Sequence, residues 1–416
     1  MIRARRIWPR PRQPRISRSL QESAVMSPEG RAVLLDVTRL VSRSWTSRQS
    51  SGIDRVCYAY LKHFRPRALA VVQHRGVVRV FDARRSERLF DLLLGPDQEF
   101  RRKLVAFAPG ALANPVPEAR LAGMTYLNTS HTDFDLAAHH DWVARSGVRA
   151  VYFIHDLIPV LHPEFTRPHA VKRHLGRVRE ALRHGGGIVT SSHVVARDLA
   201  AFAKSEGLDC ETPLVAPIAG ETFEGAGDQG GEPFFLAVGT VEPRKNHRLL
   251  FDIWRRLASR LGEATPRLVL VGQQGPLTGD ILAPLADPAL AAHVEWRASC
   301  DDAELAKLMA SARALLMPSL AEGFGLPLVE ALAIGTPVVA SDMPIFREIG
   351  QGVPQLLDPA NPAAWAEAIA TMASTPRPQA KPFNAPTWPA HFALLESWLA
   401  PRALKSGAAC ESSLAA

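Results

Sequence analysis

Two glutamates, Glu322 and Glu330, stand eight positions apart in PSLAEGFGLPLVEALAIGTPVVASD (318–342), a stretch otherwise apolar enough to be core. Carboxylates kept in such a setting need hydroxyl or cationic partners. One can accept hydrogen bonds from sugar hydroxyls and the other from a ribose diol. Gly323 and Gly325 let backbone come close to a ligand. A helix opening near Phe324 or Gly325 would aim free amides and a positive dipole end at a phosphate. A second group lies in AVGTVEPRKNHRLL, where a strand ends at Gly239 and Arg244 and Lys245 fall at a helix start. Arginine offers a bidentate fork and lysine a point charge, a pair suited to a diphosphate. Read separately, these segments also fit an acid near a helix start, a solvated helix face and an exposed basic loop. Together they point to a nucleotide-diphosphate site.

Other constellations carry less. TDFD (132–135) has the Asp-x-Asp form of a metal site, but three-residue patterns recur by chance. SHTDFDLAAHHD (130–141) is rich in His and Asp without the helical His-x-x-x-His spacing of a zinc site. No metal site is assigned. His155 and Asp156 could pair in a hydrolase, yet no Gly-x-Ser-x-Gly elbow accompanies them. GGGIV (185–189) precedes a strand, the wrong order for a dinucleotide loop. SSH (191–193), at a strand end, suits either a cleft lining or a helix cap.

These groups need strands that end at one edge. RAVLLDVT (31–38) is a continuous apolar run suited to a buried parallel strand. SRQSSGIDRVCYAYLKHF follows as a small-residue loop into a helix with Val56, Tyr60 and Phe64 on one face. RAVYFI and GGGIVT read as further strands. A Gly- and acid-rich stretch ends the first half, and from 233 strands and helices alternate regularly to 374. That alternation predicts an α/β protein of two Rossmann-like, doubly wound parallel-sheet domains. The divisions are 1–29, a disordered basic extension; 30–218, an acceptor-binding domain; 219–232, a linker; 233–380, a nucleotide-binding domain; 381–400, a last helix; and 401–416, a disordered tail.

With 416 residues and 47% hydrophobic content, the chain can build two cores. No apolar run reaches the roughly 18 residues of a membrane span. Four scattered cysteines without Cys-x-x-Cys fit a reducing cytoplasm. The net charge of +8 is misleading, because seven arginines lie in the first 20 residues and removing them leaves +1. That opening has no apolar centre, so it is no secretory signal. It could touch anionic lipid or nucleic acid, or Met26 could be the initiator. A folded body near neutrality gives no reason to expect nucleic acid as a partner.

GTVEPRKN and the Glu322-to-Glu330 segment resemble the large retaining glycosyltransferase family 4, which has the GT-B fold and a Glu-(any seven)-Glu motif. SGIDRV and FIHDLIPVLHPEF resemble its bacterial surface-polysaccharide branch, many of whose members are mannosyltransferases. The resemblance covers roughly 31–375 and implies two domains facing across a cleft, with the last helix crossing back to the first domain. It implies that Glu322 binds donor-sugar hydroxyls and that amides of Phe324, Gly325 and Leu326 hold sugar and phosphate oxygens. Glu330 would bind the ribose, and Arg244 and Lys245, beside Gly239, would neutralise the leaving diphosphate. His155 would sit near the reacting sugar, and Gly52 would face the phosphates or acceptor. Many relatives carry an arginine after the glycine matching Gly239, where this chain has Thr240. The implied reaction is metal-independent hexosyl transfer, with GDP-mannose as the favoured co-substrate and no other cofactor. The acceptor would be a growing polysaccharide or polyprenyl-linked oligosaccharide at the inner face of the cytoplasmic membrane. Rival readings are a UDP-glucose or dTDP-rhamnose enzyme on the same fold, and a non-catalytic sugar-nucleotide-binding partner in polysaccharide assembly.

Overall fold

A computed structural model describes residues 31–46, 51–96, 99–221, 233–275 and 277–400. The expected basic extension (1–29), the tail (401–416) and most of the expected linker lie outside the described residues.

The first sheet contains β1 (Val33–Asp36), β2 (Ala68–His74), β3 (Val77–Val80), β4 (Thr125–Asn128), β5 (Arg149–Ile154), β6 (Ile188–Thr190) and β7 (Leu214–Val215). Its order is β3-β2-β1-β4-β5-β6-β7. The second contains β8 (Phe234–Val238), β9 (Arg267–Val271), β10 (Val294–Arg297), β11 (Ala314–Met317), β12 (Val338–Ser341) and β13 (Gln355–Leu357), in the order β10-β9-β8-β11-β12-β13. Both are doubly wound. Each strand order reverses beside its first strand, between β1 and β4 and between β8 and β11, which opens a crevice at the carboxyl ends. The inner strands are short and apolar because helices cover both faces. VLLD in β1 and ALLM in β11 are buried at every position.

One edge departs from the expected all-parallel pattern. β2 and β3 pair antiparallel through Arg75-Gly76, whose φ values of 50° and 82° define a two-residue hairpin turn. A Cβ on Gly76 would come within 2.6 Å of the Ala138 Cβ, so packing as well as φ calls for glycine there. The helix expected from about Phe324 begins at Leu326, with Gly325 at φ 98° before it. A Cβ on Gly325 would meet the Phe346 ring at 2.7 Å.

The last helix, Trp388–Leu399, packs on the first domain. The Tyr60 hydroxyl and His391 Nε2 are 2.9 Å apart, and His391 Nδ1 lies 3.1 Å from the Ala216 carbonyl. His63 stacks on Phe392 at 3.8 Å, and Trp398 fills the space where Gly187 lacks a side chain. Before that helix, Gln351 and Asn384 exchange two hydrogen bonds, which fasten the returning chain to the second domain.

Candidate active site

A cavity of about 500 Å³ lies between the two sheets. Its lining follows the carboxyl ends of strands from both domains: His155 and Asp156 after β5, Gly239 and Thr240 after β8, Gly272 after β9, and Glu322 to Leu326 after β11. Gly52, Arg244, Lys245 and Glu330 line it too, so the structure brings together all the site residues expected from sequence.

Glu322 is the electrostatic centre of the second-domain wall. Its Oε1 accepts from Lys245 Nζ at 2.5 Å and Ser319 Oγ at 2.8 Å, and its Oε2 accepts from Arg244 Nη1 at 2.9 Å. Burial alone would raise its pKa. The charges of Lys245 and Arg244 outweigh burial and hold it at about 2. Burial pulls the Lys245 pKa down, opposed in part by Glu322. Arg244 also donates to the Ala321 carbonyl and pairs with Glu242 at 2.6 Å. Burial opposes its charge, yet Glu322, Glu242 and Asp156 raise its pKa overall. The exposed-basic-loop alternative therefore fails. Both cations are interior groups tied to carboxylates.

Glycines make room for this arrangement. Lys245 crosses Gly239, where a Cβ would sit 3.1 Å from Cε and 3.3 Å from Nζ. A Cβ on Gly272 would fall 2.0 Å from the Gly239 carbonyl, so β8 and β9 can end side by side only with glycine there. Across the cleft, a Cβ on Gly323 would be 2.9 Å from the Asp156 Cβ and 3.0 Å from its Oδ2. Gly52 starts the helix Gly52–Phe64 and faces Leu326, whose Cδ1 would lie 3.3 Å from an added Cβ.

Glu330 is not on a solvated face: it is 2% exposed. Its Oε1 accepts from Arg55 Nη1 at 2.7 Å and from the Glu221 amide at 3.1 Å. Burial raises its pKa, and the Arg55 charge opposes that rise. Arg55 sits in the quoted SGIDRV segment, but spacing alone gave no reason to set it apart from its neighbours. Its importance comes from reaching across the cleft. Glu348 is a second such residue, accepting the amides of His193 and Val194 at 2.7 and 2.9 Å.

The first-domain wall sets a group of neutral histidines beside the charged Arg55 and Asp156. His155 donates Nε2–H to the Thr129 carbonyl at 2.8 Å and stacks on Phe153. Burial pushes its pKa down to about 4, so it is neutral at pH 7. His131 and His174 pack behind it, each with its pKa lowered, chiefly by burial. Both readings of SSH hold in part. Ser192 caps the helix His193–Ser205 by accepting from the Val195 amide, whereas Ser191 lines the cavity with its Oγ buried and without a hydrogen-bond partner.

The carboxylates of TDFD are engaged by arginines. Asp135 pairs with Arg173 and Arg177, and Asp133 with Arg173. Away from the cleft, His140, Glu180 and His184 bring ligand atoms within 4.8 Å of one another. The His140 Nε2 facing Glu180 at 3.8 Å also donates to the Phe134 carbonyl at 2.8 Å, and its Nδ1 is buried without a hydrogen-bond partner.

Two doubly wound domains with a polar cleft at their facing carboxyl edges define the GT-B fold. Solved structures of similar shape include Anabaena Alr3699/HepE in complex with UDP (TM-score 0.54, 17% identity, covering 82% of this chain and 89% of that one). Another is sucrose-phosphate synthase from Thermosynechococcus elongatus (TM-score 0.56, 17% identity, 82% and 89% covered). Residues 232–375, the span of the second domain, match the family described as glycosyl transferases group 1. Curated relatives include the serotype-specific mannosyltransferase WbdA of Escherichia coli, 29% identical over 249 residues, spanning 54% of this chain and 29% of that protein. The O-antigen chain mannosyltransferase RfbU of Salmonella typhimurium (strain LT2) is 26% identical over 224 residues, 54% of this chain and 60% of that protein. The chain thus spans about a third to three-fifths of the length of these relatives. No described helix is long and apolar enough to cross a membrane.

Proposed function

We propose that the chain is a retaining, metal-independent hexosyltransferase that moves mannose from GDP-mannose to a growing polysaccharide or lipid-linked oligosaccharide. Its place would be the cytoplasmic face of the membrane. The observation that carries this reading is Glu322, held ionised between Arg244 and Lys245 at the reversal point of the second sheet. The mannosyltransferase names of the curated relatives support the choice of sugar.

The chemistry asks for two kinds of stabilisation. As the sugar–diphosphate bond breaks, negative charge builds on the leaving phosphate and positive charge on an oxocarbenium-like ring. Lys245, Arg244 and the amides before the helix Leu326–Ala333 are placed in advance for the phosphate. Glu322, locked from three sides, presents a fixed carboxylate edge to donor hydroxyls. The buried His155, His131 and His174 add no positive charge beside the oxocarbenium-like ring. A leaving-group oxygen takes the acceptor proton as the new bond forms on the face the diphosphate leaves.

The test is donor turnover with GDP-mannose, UDP-glucose and dTDP-rhamnose, each with and without EDTA, with product anomers read by NMR. Turnover of GDP-mannose alone, undiminished by EDTA and with retained configuration, is expected. Turnover of a uracil or thymine donor replaces the sugar. An inverted product overturns the mechanism.

A further inference from the structure

The cleft as it stands is poorly charged for the ligand assigned to it. Its lining holds three cations, Arg55, Arg244 and Lys245, against four carboxylates, Asp156, Glu242, Glu322 and Glu330, a net charge of −1. Two of the cations are anchored. Arg244 bonds Glu242, Glu322 and the Ala321 carbonyl, and Lys245 bonds Glu322. Thr240 adds no charge beside Gly239. A diphosphate entering such a site needs a cation that can change partner without stranding a buried charge.

Arg55 meets that need. It is the fourth residue of the helix Gly52–Phe64, whose first residues, Gly52 and Ile53, also line the cavity. It is the cavity's cation from the first domain. One guanidinium nitrogen bonds Glu330 at 2.7 Å, and the other reaches Asp302 at 3.2 Å. The Asp302 side chain is 71% exposed, so that contact is weak and easily surrendered. Glu330 is the carboxylate assigned to the ribose. Two ribose hydroxyls can donate to it in place of Arg55, and the released guanidinium fork matches phosphate oxygens.

Resting on the nucleotide-sugar reading of this site, we propose that Arg55 is a diphosphate-binding residue that exchanges partners. It holds Glu330 in the empty cleft and passes to the donor diphosphate when the ribose takes Glu330. Glu330 keeps hydrogen-bond donors in both states, and Arg55 keeps an anionic partner in both. Because Arg55 belongs to the first domain and Glu330 to the second, the exchange keeps the cleft bridged throughout: by an ion pair when empty, by the donor itself when full.

This predicts a specific imbalance. In the wild type, a nucleoside alone must break the Arg55–Glu330 pair and offers the arginine nothing. A nucleoside diphosphate replaces both partners. The experiment is calorimetric titration of the full chain with guanosine, GMP and GDP, and with uridine, UMP and UDP, for wild type, Arg55→Gln and Arg55→Lys. For Arg55→Gln, the diphosphate should bind about tenfold or more weakly while the nucleoside binds unchanged or more tightly, so the gap between them narrows. Arg55→Lys should recover part of the gap, since charge is kept and the fork is lost. Should Arg55→Gln tighten nucleoside and diphosphate equally, Arg55 is only a competitor for Glu330 and the exchange is overturned. An unchanged gap overturns it as well. If Arg55→Gln fails to fold, a gap for Arg55→Lys identical to wild type does the same. A wild type that binds neither nucleotide series defeats the nucleotide-sugar reading itself, a result separable from these because it needs no variant.

Discussion

The two walls of the cleft solve opposite problems. The second-domain wall concentrates charge: Glu322, Arg244, Lys245 and Glu242 form one ion-paired group, with glycines wherever backbone must pass close. The first-domain wall, apart from Arg55 and Asp156, removes charge: His155, His131 and His174 are buried, and their depressed pKa values keep them neutral at pH 7. A donor anion needs fixed countercharges. An acceptor hydroxyl near a reactive sugar needs a dry, neutral surface. The difference suggests that the two substrates divide the cleft by electrostatics as much as by shape.

The sharpest break in that comparison is Glu322→Gln. It strips Arg244 and Lys245 of a shared buried partner, and turnover should fall about 10²–10³-fold, with circular dichroism reporting a retained fold. Turnover near wild type with saturating donor would remove Glu322 from the site. Next comes Lys245→Met, which keeps the stem across Gly239 and deletes the charge. A loss of about 10²-fold in kcat is expected, because the charge acts most strongly on the departing phosphate. Gly323→Ala tests how closely the walls must meet. A methyl 2.9 Å from the Asp156 Cβ forces them apart, and kcat/KM should fall about tenfold from misplacement alone, with little change in melting temperature.

The smallest effect separates the walls by pH. His155 titrates at about 4 in the fold against 6.5 when unfolded, so its stabilisation is complete above 6.5 and lost as pH falls to about 4. Glu322 moves from 4.5 to about 2, so its contribution is lost only below 4.5. Asp36, buried at the end of β1 and pushed up to about 6 from 3.8, works in the reverse direction across that interval. Melting temperatures from pH 7 to 4.5 should therefore decline less steeply in His155→Gln than in wild type. Parallel profiles would mean that His155 is not buried neutral as described.

The second-domain wall was the legible one. Its strands and helices alternate at regular spacing, and the Glu322, Arg244 and Lys245 chemistry sits in short segments that carry their own meaning. Spacing could not reveal that Glu330 faces an arginine 275 positions away, because that pairing exists only once two domains meet. The His131–His155–His174 packing was hidden for a similar reason: two loops and the helix Pro168–His184 contribute one ring each. The β2–β3 hairpin left a trace in Arg75-Gly76, but an apolar run on either side reads equally well as parallel strand. Whether Asp135 served a metal or an arginine depended on Arg173 and Arg177 in a distant helix.

The docking of the last helix on the first domain has a mechanical consequence. The polypeptide passes between the domains twice, once between residues 221 and 233 and again on its return. Each passage is pinned beforehand, at Glu221 by the hydrogen bond its amide donates to Glu330 and at Asn384 by hydrogen bonds with Gln351. A body tethered to another at two points keeps one soft rotation, about the line joining the tethers. Displacements across that line load the covalent chain. The domains should therefore swing as a door does on two hinges, along a single arc, and each closing stroke returns Asp156 to the same notch at Gly323.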